Sequence, residues 1–169
     1  MKKLFCLFVF MFFVLNGYSN ETPFSYSTGM NVGISYYYKT PNNQKYTGYC
    51  IGGEIFNISI EVTTAGEYKG ENKYGSGGIS NDYRLSSVMF GYVGYIKCSQ
   101  NIRFIINPKI GFCTIQHLYN DKYYGSDVYS SDGKIEIGLD IGLRIKYFIV
   151  KAGISNMKIN AQIGYLLYF

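Results

Sequence analysis

The chain has 169 residues and a formal net charge of +5, and it is rich in Tyr (19), Phe (12) and Gly (20), with no Trp and a single His. So small and scattered a charge excludes a nucleic-acid surface. The three cysteines beyond the leader, Cys50, Cys98 and Cys113, are odd in number and irregular in spacing, which argues against a disulfide framework. A single His makes a zinc site an unpromising reading, so no metal or cofactor is expected.

The chain opens with Met1-Lys2-Lys3 and an apolar run from Leu4 to Leu15, too short to cross a bilayer as a helix. Gly17-Tyr18-Ser19 then supplies small residues at the two positions a signal peptidase inspects. The reading is a signal peptide over 1–19, cleaved before Asn20, with Cys6 too early to be a lipoprotein cysteine. Residues 20–169 remain as one domain.

Eight runs of alternating apolar and polar or small residues follow: Gly29 to Lys39, Tyr46 to Phe56, Ile58 to Tyr68, Arg84 to Lys97, Ile102 to His117, Lys134 to Ile145, Tyr147 to Ile154 and Lys158 to Phe169. Nearly all reach the roughly 9 to 11 residues that a tilted strand needs to cross a membrane. Tight connections at Asn57, at Ser99 to Asn101 and near Lys146 alternate with long polar ones at Thr40 to Lys45, Lys69 to Tyr83 and Leu118 to Gly133. Only the last, near Asn156, breaks the pattern by being short. Short turns on one side and long loops on the other describe an up-and-down barrel in a membrane.

The sixth run shows the alternation most plainly. Ile135, Ile137, Leu139, Ile141, Leu143 and Ile145 share one face, and Lys134, Glu136, Gly138, Asp140, Gly142 and Arg144 the other. A soluble eight-stranded barrel would turn such apolar faces inward, but its interior has room for only a few large side chains. The opposite face carries Gly33, Gly52, Gly91, Gly111, Gly138, Gly142, Gly153 and Gly164, small residues suited to a narrow lumen. The apolar face therefore points at lipid, and closure pairs every backbone group that the hydrocarbon would otherwise leave unsatisfied.

In the last run Ile163, Tyr165, Leu167 and Phe169 share a face and end on an aromatic residue, which resembles the C-terminal insertion signal of bacterial outer-membrane barrels. The whole of 20–169 resembles the small eight-stranded barrels of the OmpA transmembrane-domain and OmpX kind. The resemblance implies an all-β, antiparallel transmembrane barrel, export through the inner membrane, insertion by the barrel-assembly machinery, and a wall in contact with outer-membrane lipid. It carries fold and location but little function.

Strand parity places Glu54, Glu61, Glu136 and Asp140 with Lys97, Arg103, Lys109, Arg144 and Lys151 on the inward face, a charge network that plugs the lumen. Glu54 is expected opposite or diagonal to Glu61, and Asp140 within diagonal reach of Lys109 and Lys151. No enzyme is expected. The His and Ser two residues later that mark outer-membrane lipid A deacylases are absent, since His117 is followed by Leu118 and Tyr119. His117 with Asp121 and Ser126 imitates a palmitoyltransferase triad only poorly, and His117 reads instead as part of an interfacial aromatic girdle. The loop at Leu118 to Gly133 reads as solvated, Glu71 to Ser80 as no phosphate cradle, and neither as a calcium loop.

Two roles remain. The first is an accessory subunit of a larger outer-membrane secretion or assembly complex, docked to a protein partner through Gly94 and Ala152 on the lipid-facing wall. The other is a free-standing surface-contact barrel acting through its loops.

Overall fold

The computed structural model describes residues 27–40, 45–66, 83–121 and 125–168. Nine stretches of strand run in chain order: β1 Ser27–Tyr37, β2 Tyr46–Ile55, β3 Ile58–Gly66, β4 Tyr83–Tyr92, β5 Gly94–Lys97, β6 Ile102–Asp121, β7 Gly125–Ile145, β8 Phe148–Ser155 and β9 Lys158–Tyr168. β4 and β5 are two halves of one strand, interrupted at Val93, and both pair with β6. Each strand is antiparallel to its neighbours, and the pairing of β1 with β9 closes the ring. The result is an eight-stranded up-and-down transmembrane barrel.

The turns at one end are tight. Phe56 and Asn57 both adopt positive φ (51° and 65°), the left-handed pair that matches a two-residue hairpin to the twist of its strands. Lys146 does the same in the β7–β8 turn (φ 54°). This end is the periplasmic one in the usual orientation of such barrels.

The wall and the interior have exchanged the roles they play in a soluble protein. Met30 is 69% exposed, Phe112 67% and Ile163 63%, while Glu61, Lys109, Glu136, Asp140 and Lys158 are each 2% exposed or less. Alternation is the cause, because a period of two sends every second residue to lipid.

Two boundaries differ from the sequence reading. The segment from Leu118 to Gly133, expected as a loop, is almost all strand: β6 and β7 stay paired from Ile102↔Ile145 to Asp121↔Gly125, with one register shift at His117/Leu118. Its polar composition hid an extended hairpin, because a strand outside the membrane needs no apolar face. The leader expected at 1–19, the segment Glu71 to Ser80 and Phe169 lie outside the described residues. Ile163 and Tyr165 of the terminal signal face outward and are exposed, and Leu167 lies within β9.

The short β8–β9 turn has a second use. Asn156 extends the β8 edge by one rung with its side chain: its Oδ1 accepts from the Ile137 N–H at 3.0 Å, and its Nδ2 donates to the Ile135 carbonyl at 3.0 Å. Replacing Asn156 with Ala should cost about 1 kcal/mol of stability and speed hydrogen exchange at the Ile137 amide, as measured by unfolding in detergent and by amide exchange.

Candidate functional site: a sealed ionic lumen

Six charged side chains in the lumen form one alternating chain. Lys151 Nζ lies 3.5 Å from Asp140 Oδ2, and Asp140 Oδ1 lies 2.7 Å from Lys109 Nζ. Lys109 Nζ reaches Glu61 Oε2 at 2.5 Å, and Glu61 Oε1 lies 3.3 Å from Lys158 Nζ, which is 3.5 Å from Glu136 Oε1. Three acids and three bases cancel, and every interior member of the chain touches two opposite charges. Five strands contribute: β3, β6, β7, β8 and β9.

Neutral side chains take up much of what the ion pairs leave, although Glu136 Oε2, Asn160 Oδ1 and Gln162 Oε1 are buried without a hydrogen-bond partner. Gln162 Nε2 donates to Glu61 Oε2 at 2.7 Å, with Asn160 Nδ2 behind it at 3.2 Å from Oε1. Ser155 Oγ donates to Glu136 Oε1 at 2.6 Å, and Asn107 Nδ2 to Asp140 Oδ2 at 3.3 Å. Lys158 Nζ donates to Ser87 Oγ at 2.5 Å and to Thr63 Oγ1 at 2.7 Å, and Thr63 Oγ1 donates in turn to Glu61. Glycines make the room: a Cβ on Gly91 would lie 2.7 Å from Lys109 Cγ, so the close approach of Lys109 to its two acids depends on that missing side chain.

Apolar layers close both ends of this chain. Toward the long-loop end, Tyr37, Tyr46, Ala65, Leu85, Cys113, Ile115 and Met157 form one buried cluster, and Tyr83 packs against it. Toward the tight-turn end, Val93, Ile105, Ile149 and Leu166 form the other, joined by Tyr95. These inward apolar residues sit on the same parity as the charges. A count of inward charges alone therefore missed that the ionic layer is sandwiched.

Several sequence assignments need correction. Lys97 and Arg103 share the inward parity but stand at the tight-turn mouth, Lys97 exposed and Arg103 half-buried, because the strands end there and the lumen opens. They take no part in the six-charge chain. Glu54 lies opposite Ser59, diagonal to Glu61, yet both its oxygens accept from Tyr95 Oη, at 2.6 and 2.8 Å. Arg144 stacks on that Tyr95 ring, 5.3 Å from its centroid. Lys158, which the parity count overlooked as the first residue of its strand, is the cation joining Glu61 to Glu136.

His117 is not part of a lipid-facing girdle. It has inward parity opposite Tyr83 and stacks on that ring at 4.6 Å with planes 5° apart, over the apolar cluster. Asp121 lies four residues farther along the same strand, about 13 Å away, so the imitated triad is not assembled around His117. Ser87 and Lys158 have the composition of a Ser–Lys nucleophile pair, but both are fully enclosed and Lys158 is engaged by two carboxylates. Cys50 and Cys113 are buried free thiols and Cys98 an exposed one.

On the outer wall, Ala152 stands opposite Ala161, flanked in the same row by Ile141 and Ile34. The two alanines leave a lipid-facing depression of about 540 Å³. Gly94, the other small residue expected on the wall, keeps outward parity opposite Ile106 but is buried.

No protein-family model and no curated protein matches the chain. Among solved structures, Neisserial surface protein A superposes with a TM-score of 0.58 at 12% identity, over 88% of this chain and 100% of that one. The attachment invasion locus protein Ail of Yersinia pestis, solved in complex with the heparin analogue sucrose octasulfate, superposes with a TM-score of 0.53 at 12% identity, over 83% and 98%. By fold, the chain is a small eight-stranded outer-membrane β-barrel.

The ionic chain of this barrel makes two substitutions informative. Lys158→Met leaves the buried Glu136 without its cation and Glu61 with Lys109 alone, and should cost about 3 to 5 kcal/mol, more than Lys97→Met at the exposed mouth. Asp140→Asn, which weakens the hold on two lysines, should cost about 1 to 3 kcal/mol. Both are read from denaturant curves followed by the mobility shift between folded and heated barrel.

Proposed function

We infer that this protein resides in the bacterial outer membrane as a non-enzymatic, non-conducting barrel that makes contact outside the cell through its β6–β7 hairpin. The observation that carries the reading is strand length. A crossing takes roughly 9 to 11 residues, which β1, β2, β3 and β9 match, whereas β6 has 20 residues and β7 has 21. β8 covers β7 only from Gly138 to Ile145, and among the described residues β6 alone pairs with β7 from Gly125 to Ile137.

Beyond the rung that the Asn156 side chain supplies, no other described strand covers the β7 edge. Ser130 to Ile135 are exposed throughout. Backbone groups on such an edge form a template for an extended segment of another protein. The neighbours in structure include a surface protein and an attachment protein, which supports the reading. The sealed lumen supports it as well, because it leaves the outer surface as the place for function.

The depression at Ala152 and Ala161 supports a second reading, in which the barrel docks as an accessory subunit against a protein partner in the membrane; small residues let backbones approach. Photocrosslinkers at Gly133 and at Ala152 separate the two: adducts from the hairpin alone favour external contact, and adducts from the wall alone favour the subunit. Planar-bilayer recordings test the shared premise. They should show no steady conductance of porin size, and reproducible large ohmic steps would return a channel function.

A further inference from the structure

The outward face of the barrel changes character toward the long-loop end, and on three neighbouring strands it does so in a single step. Running outward, Val62 gives way to Thr64 on β3, Val88 to Ser86 on β4, and Phe112 to Thr114 on β6. Register sets these residues side by side: Val62, Val88 and Phe112 share one rung, and Thr64, Ser86 and Thr114 share the next outward-facing one. A row of hydroxyls thus follows directly on a row of exposed apolar side chains, which marks the outer edge of the apolar band. On β1 and β2 the border carries the exposed rings of Tyr38 and Tyr49 instead, and such rings settle at the membrane–water interface.

Arg84 is the next outward-facing residue beyond Ser86, about 13 Å along the strand from Val88. It is exposed. Every other Lys and Arg on the described strands has inward parity, which makes Arg84 the one cation these strands turn toward the headgroups. Glu54, Glu61, Asp132, Glu136 and Asp140 have inward parity too, so none of them shares its face.

The rung of Arg84 leaves room beside it. Its partners are Gly66 on β3 and Gln116 on β6. Gly66 adopts φ 152°, and a Cβ there would lie 2.5 Å from the Tyr83 carbonyl oxygen, so the position excludes a side chain and the wall stays low next to Arg84. Thr64, Ser86 and Thr114 lie one outward-facing rung below, in reach of anything that settles on this gap.

A guanidinium fork matches phosphate oxygens two at a time, and hydroxyl and amide donors extend the match. The position selects the source of the phosphate, because the surface continuous with the site on its membrane side is apolar. A molecule that fits both parts carries an anionic head on Arg84 and hydrocarbon on the wall of Val62, Val88 and Phe112.

We propose that Arg84, with Gln116 and the hydroxyls of Thr64, Ser86 and Thr114, holds the phosphorylated headgroup of a lipid of the outer leaflet. The site lies on the wall, apart from the β6–β7 edge, and its occupation does not depend on any contact made there.

Native mass spectrometry of the purified barrel tests this, after incubation in micelles with equal amounts of phosphorylated lipid A and the same lipid stripped of its phosphates. The wild-type barrel should retain the phosphorylated form preferentially, and Arg84→Gln should reduce that preference about fivefold. Arg84→Gln/Thr47→Arg, which moves the cation to the exposed outward face of β2, should stay at the reduced level. Folding of each variant is checked by its mobility shift on heating. Equal retention of the two lipids by wild type, or an unchanged preference in Arg84→Gln, would overturn the site. Full recovery in the Thr47→Arg background would also overturn it, leaving only a general attraction of interfacial charge. Release of the lipid by excess inorganic phosphate would overturn the lipid as occupant.

Discussion

A tube that crosses a membrane on eight strands has an interior too narrow to solvate charges and too long to fill with the residues its outer wall consumes. This protein meets the constraint by making its buried charges neutralise one another. Each carboxylate removed from water loses several kcal/mol of hydration, recovered only where an opposite charge and additional hydrogen bonds are held in close geometry. The alternation Lys151, Asp140, Lys109, Glu61, Lys158, Glu136 provides that geometry, with amide and hydroxyl groups from Gln162, Asn160, Ser155, Ser87 and Thr63 completing it. Because the chain draws on five strands, it also ties together parts of the barrel that are not adjacent in the sheet.

The apolar layers above and below strengthen this arrangement. They keep bulk water from the ion pairs, and pairs in a drier environment attract more strongly. They also make the lumen a poor conduit, since an ion would have to cross both an apolar plug and a neutral, fully engaged ionic layer. The proposed function accordingly lies on the outside of the molecule, at the long β6–β7 hairpin or at the wall with its two alanines.

Period-two alternation made the barrel legible in the sequence. Eight runs, their order and their tight turns are visible because each strand has lipid on one side and a crowded lumen on the other, and both environments constrain residue type. The same logic identified Glu61, Lys109, Asp140 and Lys151 as inward. It failed where one of the two environments ends. Lys97 and Arg103 keep inward parity past the point where the lumen opens, and the outer part of β6 and β7 carries Ser, Asp and Gly because water, not lipid, surrounds it. Parity also cannot tell which inward residues meet. The pairing of Lys158 with Glu61 across the barrel, and of Glu54 with Tyr95 in place of Glu61, depends on strand stagger, which no local pattern records.

The chain carries its own probe of whether the lumen is sealed. Cys50 and Cys113 lie in the lumen at 1% and 0% exposure, and Cys98 is exposed at the tight-turn end. A small charged thiol reagent applied to the folded barrel in detergent should label Cys98 alone, and should label all three cysteines once the protein is denatured. Labelling of Cys50 or Cys113 in the folded barrel at a rate comparable to Cys98 would contradict the sealed ionic lumen.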